Sequence, residues 1–180
     1  SFAGLVAVAN PEYIVLEISS FQLDDIDTFR PHISAILNIT PDHLDRYDYS
    51  MEKYVASKFR ITKNQQVEDF FIYNADDEEI AGFLNMATIN PQHIPIQSTM
   101  YDGGVRNENG DVFSMQLLGK HNKFNAQVVV VMARLAGLRD DEIMGGLQSF
   151  ASLPHRLEVV AKINDVTYIN DSKATNVNST

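Results

Sequence analysis

The chain has 180 residues, with 24 acidic and 14 basic side chains, a net charge of -10 at pH 7, and no cysteine. This length suits one domain of ordinary size, or one domain and part of another, and a hydrophobic content of 44% is enough for a buried core. The composition excludes disulfides and thiolate sites, provides no run of about 20 apolar residues for a membrane span, and argues against a broad nucleic-acid surface, which needs clustered Lys and Arg.

Strand and helix patterns alternate in the first half of the sequence. Four apolar runs, the first of them rich in β-branched residues, predict strands of one sheet: residues 13–18, 33–39, 70–73 and 94–97. Ser50 can cap a helix that runs to about residue 64, and an aspartate of the pair Asp76-Asp77 can cap a helix over residues 78–86. This βαβ order predicts the α/β class, with a mainly parallel sheet flanked by helices.

Glycine pairs and helical periodicity organise the next part of the chain. Gly103-Gly104 and Asn109-Gly110 flank short extended pieces, which predicts a hairpin-like excursion. A long amphipathic helix is predicted over residues 121–136 and ended by Gly137. Asp140 is placed to cap a shorter helix that runs to residue 150.

The last predicted elements are two strands, residues 157–163 and 166–169, joined by a turn at Asn164-Asp165. A single hairpin is too small to bury a face alone. We therefore predict a domain boundary near Leu153-Pro154, which divides the chain into residues 1–152 and 153–180. The second part closes no complete unit, so we expect the chain to be cut from a longer protein.

Polar side chains follow three of the predicted strands at the point where each strand ends. Ligands collect at the carboxyl ends of parallel strands, because the loops converge there. The side chains are Glu17, Ser19, Ser20 and Gln22 after the first strand, Asp42, His43 and Asp45 after the second, and Asp171, Ser172 and Lys173 after the hairpin. Each of them taken singly is explained as readily by a solvated loop or a helix cap, but their convergence favours a site.

Lys58 is the most informative single residue. A helical projection places it in the middle of an apolar face, among Tyr54, Val55 and Ile61. Desolvation there would favour the neutral amine, which is a nucleophile toward carbonyl compounds or carbon dioxide. The alternative is a lysine whose stem packs on the core while its ammonium reaches water.

Asn122 and Asn125 share one face at the start of the long predicted helix. Free amide donors and the positive end of the helix dipole at that point suit an anion or a purine edge. Helix capping is the alternative. The phosphate loop pattern G-x-x-x-x-G-K-[ST] is absent from the sequence, because the Gly119-Lys120 pair is followed by His121.

Several ordered blocks of the sequence resemble the Mur ligase family of bacterial cell-wall enzymes. The blocks are LEISSFQL (16–23), LNITPDHLDRY (37–47), YVASK (54–58), NADD (74–77), GKHN with NA (119–122, 125–126), LPHR (153–156) and NDSKATN (170–176). The first and last blocks are most similar to the family member that adds D-glutamate. The resemblance implies the later part of a central domain over residues 1–152 and the first β-hairpin of a Rossmann-like C-terminal domain over 153–180.

The resemblance also implies an activity. The expected enzyme is a cytoplasmic ATP- and Mg²⁺-dependent ligase that joins D-glutamate to UDP-N-acetylmuramoyl-L-alanine through an acyl phosphate, in the peptidoglycan synthesis on which cell shape and division depend. No nucleic acid, membrane or obligate protein partner is predicted. Another amino-acid-adding ligase, such as folylpolyglutamate synthetase, and a non-catalytic nucleotide-binding α/β module are the alternatives. Because the sequence lacks the phosphate loop and most of the C-terminal domain, we predict that the isolated chain is inactive.

Roles for individual residues follow from the resemblance alone. It implies a carbamylated Lys58, catalytic roles for Lys58, His43 and Lys173, and a magnesium site of Glu17, His43 and Lys58. The residues implied around the nucleotide are Asn122, Asn125 (adenine), Asp171 (ribose), and Arg156 and Lys173 (phosphate). Those implied for the other substrates are Ser19 and Gln22 at the muramoyl-alanine end and Thr175 for the incoming amino acid.

Overall fold

A computed structural model of the chain describes residues 11–97, 112, 120–150, 154–156 and 158–173. The helices are α1 (Ser20–Asp24), α2 (Met51–Phe59), α3 (Glu78–Met86), α4 (Lys120–Leu135) and α5 (Asp140–Ser149), with short 3-10 helices at Leu44–Tyr47 and Arg60–Thr62. The strands are β1 (Ile33–Ile36), β2 (Phe70–Asn74), β3 (Gln92–Ile96), β4 (Glu158–Ile163) and β5 (Val166–Asn170). The chain divides into two compact units, Ser1–Pro95 and Ile96–Thr180. The domain boundary near Leu153-Pro154 stays a prediction.

A three-stranded sheet in the order β1-β2-β3 organises the first unit. β1 and β2 are parallel, with Ile33 opposite Phe70 and Ile36 opposite Tyr73. Parallel neighbours require a crossover connection, and α2 lies in the segment that joins these two strands. The predicted α/β class, with a parallel sheet flanked by helices, is confirmed.

The predicted elements of the first unit are largely present, with changed ends. Helix α3 has the predicted bounds, and Asp77 caps it by accepting a hydrogen bond from the Ile80 N–H at 3.0 Å. Ser50 caps α2, but this helix ends at Phe59 and continues as a 3-10 turn to Thr62. The strand predicted over residues 33–39 ends at Ile36, where its pairing with β2 also ends.

The prediction of a buried strand over residues 13–18 is wrong. This segment is irregular, and the side chains of Tyr13 and Val15 are 57% and 90% exposed. An apolar run forms a strand only where a neighbouring strand pairs with its N–H and C=O groups, and within the described residues this segment pairs with none. The sequence pattern reports how apolar a segment is and contains no information on a partner.

Two helices and a hairpin make up the described part of the second unit. Val130 of α4 and Ile143 of α5 are buried together, and Gly137, at φ 85°, ends the long helix as predicted. β4 and β5 form the predicted antiparallel hairpin, with left-handed backbone at Asn164 and Asp165. The excursion predicted between Gly103 and Phe113 lies outside the described residues, apart from an isolated bridge position at 112.

Asp140 does not cap α5 as predicted. It is the first helical residue, and its carboxylate pairs with Arg134 at 2.9 Å. The cap position belongs to Arg139, whose backbone N–H donates to the Glu142 carboxylate at 2.9 Å. An acidic side chain three residues into the helix can reach back to the cap residue, and Glu142 makes this contact.

Aromatic side chains fill the core of the first unit. Phe71 and Ile80 are 0% exposed, and Phe59 of α2 stacks on Phe83 of α3 with ring centroids 3.9 Å apart. Phe71 in turn stacks on Tyr73 within β2. This core fixes α2 and α3 against the sheet.

Of the helices in the described ranges, none has the length and apolar character needed to cross a membrane.

A buried carboxylate joins the amino ends of β1 and β2. Asp69 is 1% exposed and accepts hydrogen bonds from Arg30 Nε at 2.6 Å and from the Gln66 N–H at 2.7 Å, while its other oxygen lies 3.0 Å from His32 Nδ1. Burial by itself would raise the pKa of this carboxyl, but the hydrogen bonds from Arg30, Gln66 and His32 outweigh it and lower the pKa from 3.8 to about 2.

This carboxylate should make the stability of the first unit depend on acid. A pKa that is lower in the folded than in the unfolded state stabilises the fold fully above the unfolded value of 3.8, and the stabilisation is lost as the pH falls toward about 2. We expect the free energy of unfolding, measured with urea, to fall over this range, and to fall less steeply in Asp69→Asn. Asp45→Asn, a change at an exposed carboxylate, should retain the wild-type dependence of the unfolding free energy on pH. Identical slopes for Asp69→Asn and wild type would contradict the assignment.

Candidate active site

Three segments of the first unit meet around a pocket of about 420 Å³. They are the segment that leads into α1, the loop after β1, and the middle of α2. The residues that line the pocket are Glu17, Ile18, Ser19, Ser20, Gln22, Asp42, His43, Tyr54 and Lys58. The structure therefore brings together the three residues predicted to hold metal and two of those predicted to bind substrate. Their chemical roles stay predictions.

Lys58 extends into this pocket from α2, the helix that packs Tyr54, Val55 and Phe59 into the core. Its side chain is half-buried, and its Nζ lies 4.8 Å from the centre of the Tyr54 ring. Burial lowers the pKa of the ammonium, while the nearby Asp42 carboxylate and Tyr47 oppose that shift. Among the described residues no carboxylate lies within salt-bridge distance of Nζ. The pKa of this amine is thus lower than that of an exposed lysine, so its neutral form is more accessible.

His43 is oriented by the residue before it. Its backbone is left-handed, with φ 50°, and its N–H donates to Asp42 Oδ1 at 2.9 Å. The imidazole Nε2 lies 3.7 Å from Asp42 Oδ2, and the Phe21 ring contacts the imidazole edge-on at a centroid distance of 6.2 Å. A non-glycine residue in this backbone region is uncommon and marks a functional or structural constraint. Asp42 and Phe21 are the neighbours of this ring at the pocket.

Ser19 and Gln22 bond to each other. Gln22 Oε1 accepts a hydrogen bond from the Ser19 N–H at 2.9 Å and from the Ser19 hydroxyl at 2.8 Å. This pair closes the start of α1, a helix of five residues. The capping alternative is therefore realised for both residues, although both also line the pocket.

The donor groups of the pocket decide which metal it suits. No group of three or more His, Asp or Glu side chains that could hold a metal occurs within the described ranges. Glu17 and Asp42 supply carboxylate oxygens and His43 an imidazole, while an unmodified Lys58 is a cation. Magnesium prefers oxygen ligands. The set fits this ion if the Lys58 amine is converted into an anionic oxygen donor, as a carbamate would be.

Asp42 and Tyr54 line the pocket and were missing from the predicted site residues. The signal for Asp42 was present in the sequence, because it follows a strand and adjoins His43. Tyr54 lies one helical turn before Lys58 and was assigned only to the apolar face of the helix. The Tyr54 side chain packs in the buried core and also lines the pocket.

Asp77 links the loop that carries His43 to helix α3. One oxygen of its carboxylate caps α3, and the other accepts a hydrogen bond from the Ile39 N–H at 2.8 Å. Ile39 is only 4% exposed, so this amide has no ready access to water. The loop from β1 to His43 is thereby anchored four residues before the histidine.

The residues predicted to contact nucleotide lie in the second unit. Asn122 and Asn125 belong to the first turns of α4. The Lys173 N–H donates to the His155 carbonyl at 3.1 Å, and Asn170 Nδ2 lies 2.8 Å from His155 Nδ1. These contacts place Arg156, Asp171 and Lys173 at one end of the hairpin. Thr175 lies outside the described residues.

Comparison with known proteins agrees with the arrangement of these segments. Residues 2–133 match the Mur ligase middle domain. The chain belongs to the Mur ligase family. A MurF structure from Acinetobacter baumannii matches with a TM-score of 0.62 at 20% identity, over 79% of this chain and 34% of that one, and supports the Mur ligase fold.

Relatives of this Mur ligase chain carry the name UDP-N-acetylmuramoylalanine--D-glutamate ligase. The protein from Christiangramia forsetii is 48% identical over 100% of this chain and 44% of its own length. Those from Bacteroides fragilis and Porphyromonas gingivalis are 42% and 40% identical, and this chain covers 43% and 44% of their respective lengths. The chain thus spans less than half the length of the curated relatives it matches.

Removal of the Asp77 carboxylate should lower the free energy of unfolding of this Mur ligase chain. In Asp77→Ala the helix cap is lost, which costs about 0.5–2 kcal/mol, and the buried Ile39 N–H loses its acceptor, which costs about 1–3 kcal/mol. Asp77→Asn preserves a good helix cap and should lose only part of this stabilisation, so it serves as the matched control. Urea unfolding measures both variants. Equal stability of Asp77→Ala and wild type would show that the carboxylate does not anchor the loop.

Proposed function

We propose that this chain is part of an ATP-dependent ligase that adds D-glutamate to UDP-N-acetylmuramoyl-L-alanine in cytoplasmic peptidoglycan synthesis. The observation that carries the proposal is the pocket that gathers Glu17, His43 and a half-buried Lys58 from three segments. The names of relatives that align along the whole chain support the choice of substrates.

The reaction proposed for the complete enzyme has two steps. The substrate carboxylate attacks the γ-phosphorus of ATP, so that a C–O–P bond forms and ADP leaves. The amine of D-glutamate then attacks the acyl carbon, the amide bond forms, and inorganic phosphate leaves with loss of a proton from nitrogen. Negative charge accumulates at one place in both steps, and magnesium, when bound, would offset it.

Glu17, His43 and a carbamylated Lys58 are the residues that would hold magnesium. The neutral Lys58 amine attacks carbon dioxide, a C–N bond forms, and a proton is released, so that a cation is replaced by an anionic oxygen donor. The half-burial of Lys58 supports this role, because it lowers the pKa of the ammonium. Asp42 supports the second ligand, since it accepts a hydrogen bond from the His43 N–H and lies beside the imidazole.

Substrate contacts are proposed for both units. Ser19 and Gln22 would face the muramoyl-alanine end, and Thr175 the incoming amino acid. Asn122 would lie near the nucleotide. Asn125 would contact the adenine, Asp171 the ribose, and Arg156 and Lys173 the phosphates. The hydrogen bond from Lys173 N–H to the His155 carbonyl supports this, because it places the two cationic residues at the same end of the hairpin.

Amino-acid specificity of the complete gene product tests the proposal. With UDP-N-acetylmuramoyl-L-alanine, ATP and Mg²⁺, we expect ADP and phosphate to form with D-glutamate and not with L-glutamate or L-lysine. A preference for another amino acid would favour a different ligase of the superfamily, and ATP binding without turnover would favour a non-catalytic module. The 180-residue chain assayed alone should be inactive, and turnover by it would contradict that prediction.

A further inference from the structure

One carboxylate hydrogen-bonds to two of the elements around the pocket. Asp24, the last residue of α1, accepts a hydrogen bond from the Ser57 hydroxyl at 2.7 Å on one oxygen and from the Tyr47 hydroxyl at 3.0 Å on the other. The two hydroxyl oxygens are 3.1 Å apart, and Ser57 Oγ also lies 2.9 Å from the Ser20 carbonyl. Ser20, Tyr47 and Ser57 are 3%, 7% and 4% exposed. These four residues are called the Asp24 cluster below.

Each member of the Asp24 cluster belongs to a segment that carries a pocket residue. Ser20 itself lines the pocket from α1. Tyr47 ends the 3-10 helix that begins directly after His43. Ser57 precedes Lys58 on α2. The cluster therefore joins the three walls of the pocket behind the residues that face into it.

Helix α1 depends on these contacts for its position. With five residues it is far shorter than a helix that is stable by itself in water. Besides the Asp24 cluster, the Arg60 guanidinium donates to the carbonyls of Leu23 at 2.8 Å and Asp24 at 3.0 Å at the end of α1. These contacts reach α1 from the 3-10 helix that ends at Tyr47, from α2 and from the turn after α2, so the position of α1 depends on all three.

We propose that Asp24 is a positioning residue of the pocket, which fixes α1 and the segment after His43 against α2 and so sets the spacing between Glu17, His43 and Lys58. It touches none of the reacting groups. Its effect on catalysis rests on the proposed function, because displacements of about 1 Å can cost an enzyme about 100-fold in rate. Its effect on the shape of the pocket does not depend on that function.

Hydrogen exchange separates a positioning role from a general loss of stability. The complete gene product and its Asp24→Ala variant would be compared by mass spectrometry of peptides that cover residues 19–25, 43–49 and 78–86. We expect the first two peptides to exchange about tenfold faster or more in the variant, while α3 is unchanged, because local opening affects only the elements that lose contacts. Ile80→Val, a core change in α3, should instead accelerate exchange mainly in the α3 peptide. Uniform acceleration, or none, in Asp24→Ala would overturn the proposal.

A double-mutant cycle avoids dependence on one variant. Tyr47→Phe and Ser57→Ala each remove one hydroxyl donor to Asp24. If the Asp24 carboxylate couples the two hydroxyls, the fold-acceleration of exchange at residues 19–25 in the double variant should be less than the product of the two single-variant accelerations. A double effect equal to that product would show independent contacts and overturn the proposal.

Steady-state kinetics of the complete gene product test the effect of Asp24 on catalysis. In Asp24→Ala we expect kcat to fall about 10- to 100-fold, with the KM for ATP within about threefold of wild type, since nucleotide contacts are proposed in the second unit. An unchanged kcat would contradict the positioning role even if exchange accelerates. A wild-type protein without ligase activity would instead contradict the proposed function. The exchange result would then decide by itself whether Asp24 positions the pocket segments.

Discussion

Lys58→Ala should abolish nearly all ligase activity of the complete enzyme, with a loss of roughly 10³-fold or more in kcat, as for removal of a group that acts only as part of a catalytic unit. The structure places this amine in the pocket with Glu17 and His43, half-buried and 4.8 Å from the Tyr54 ring centre. Alanine removes the only group there that carbon dioxide can convert into an additional anionic ligand. Steady-state release of phosphate measures the effect.

Chemical rescue and a matched lysine make this prediction specific. Formate or acetate can occupy the space that alanine leaves and supply the missing carboxylate oxygens, so either should restore part of the activity. Lys53→Ala is the control on the same helix, because Lys53 is 59% exposed and pairs with Asp48 at 2.5 Å. It should retain activity. Full activity of Lys58→Ala, with no gain from added acid, would show that Lys58 is not a metal ligand.

Glu17→Gln should raise the magnesium requirement of the complete enzyme. The substitution preserves the size of the side chain and removes its charge. Loss of even a residue that only orients a metal ligand typically costs about 10- to 100-fold in metal affinity. We expect the magnesium concentration for half-maximal rate to rise by about that factor, with activity partly regained at high magnesium.

Glu12→Gln is the matched control for this prediction. It makes the same charge change in the same segment, at an exposed side chain that does not line the pocket. Its magnesium dependence should equal that of wild type. If Glu17→Gln also followed the wild-type curve, the carboxylate of Glu17 would be no ligand.

The site was predictable where neighbours in the sequence are also neighbours in space. Helical periodicity placed Lys58 beside Tyr54 on the apolar face, and the polar residues after the second predicted strand indicated His43. Glu17 was indicated by a strand that does not form. The Asp24 cluster was not predictable in this way, because Asp24 and Ser57 are 33 positions apart. Periodicity and capping rules describe contacts within one element, and no such rule reports which hydroxyl a distant carboxylate will bind.

The fold shows the same division between local and distant contacts. An aspartate of the pair Asp76-Asp77 was correctly predicted to cap α3. Asp77 makes this contact over three positions, but its second bond, to Ile39, spans 38. Residues 13–18 have the composition of a strand, yet strand formation depends on a pairing partner elsewhere in the chain. Ser19 and Gln22 illustrate a further limit, because one sequence block is compatible with both a helix cap and a substrate contact.

We propose that Lys58 carries a carbamate in the pocket with Glu17 and His43. Carbon NMR of the complete enzyme in ¹³C-labelled bicarbonate measures this directly. We predict a protein-bound carbamate resonance in wild type and in Lys53→Ala, and its absence in Lys58→Ala. A fully active wild-type enzyme without that resonance, or a resonance that persists in Lys58→Ala, would contradict the claim.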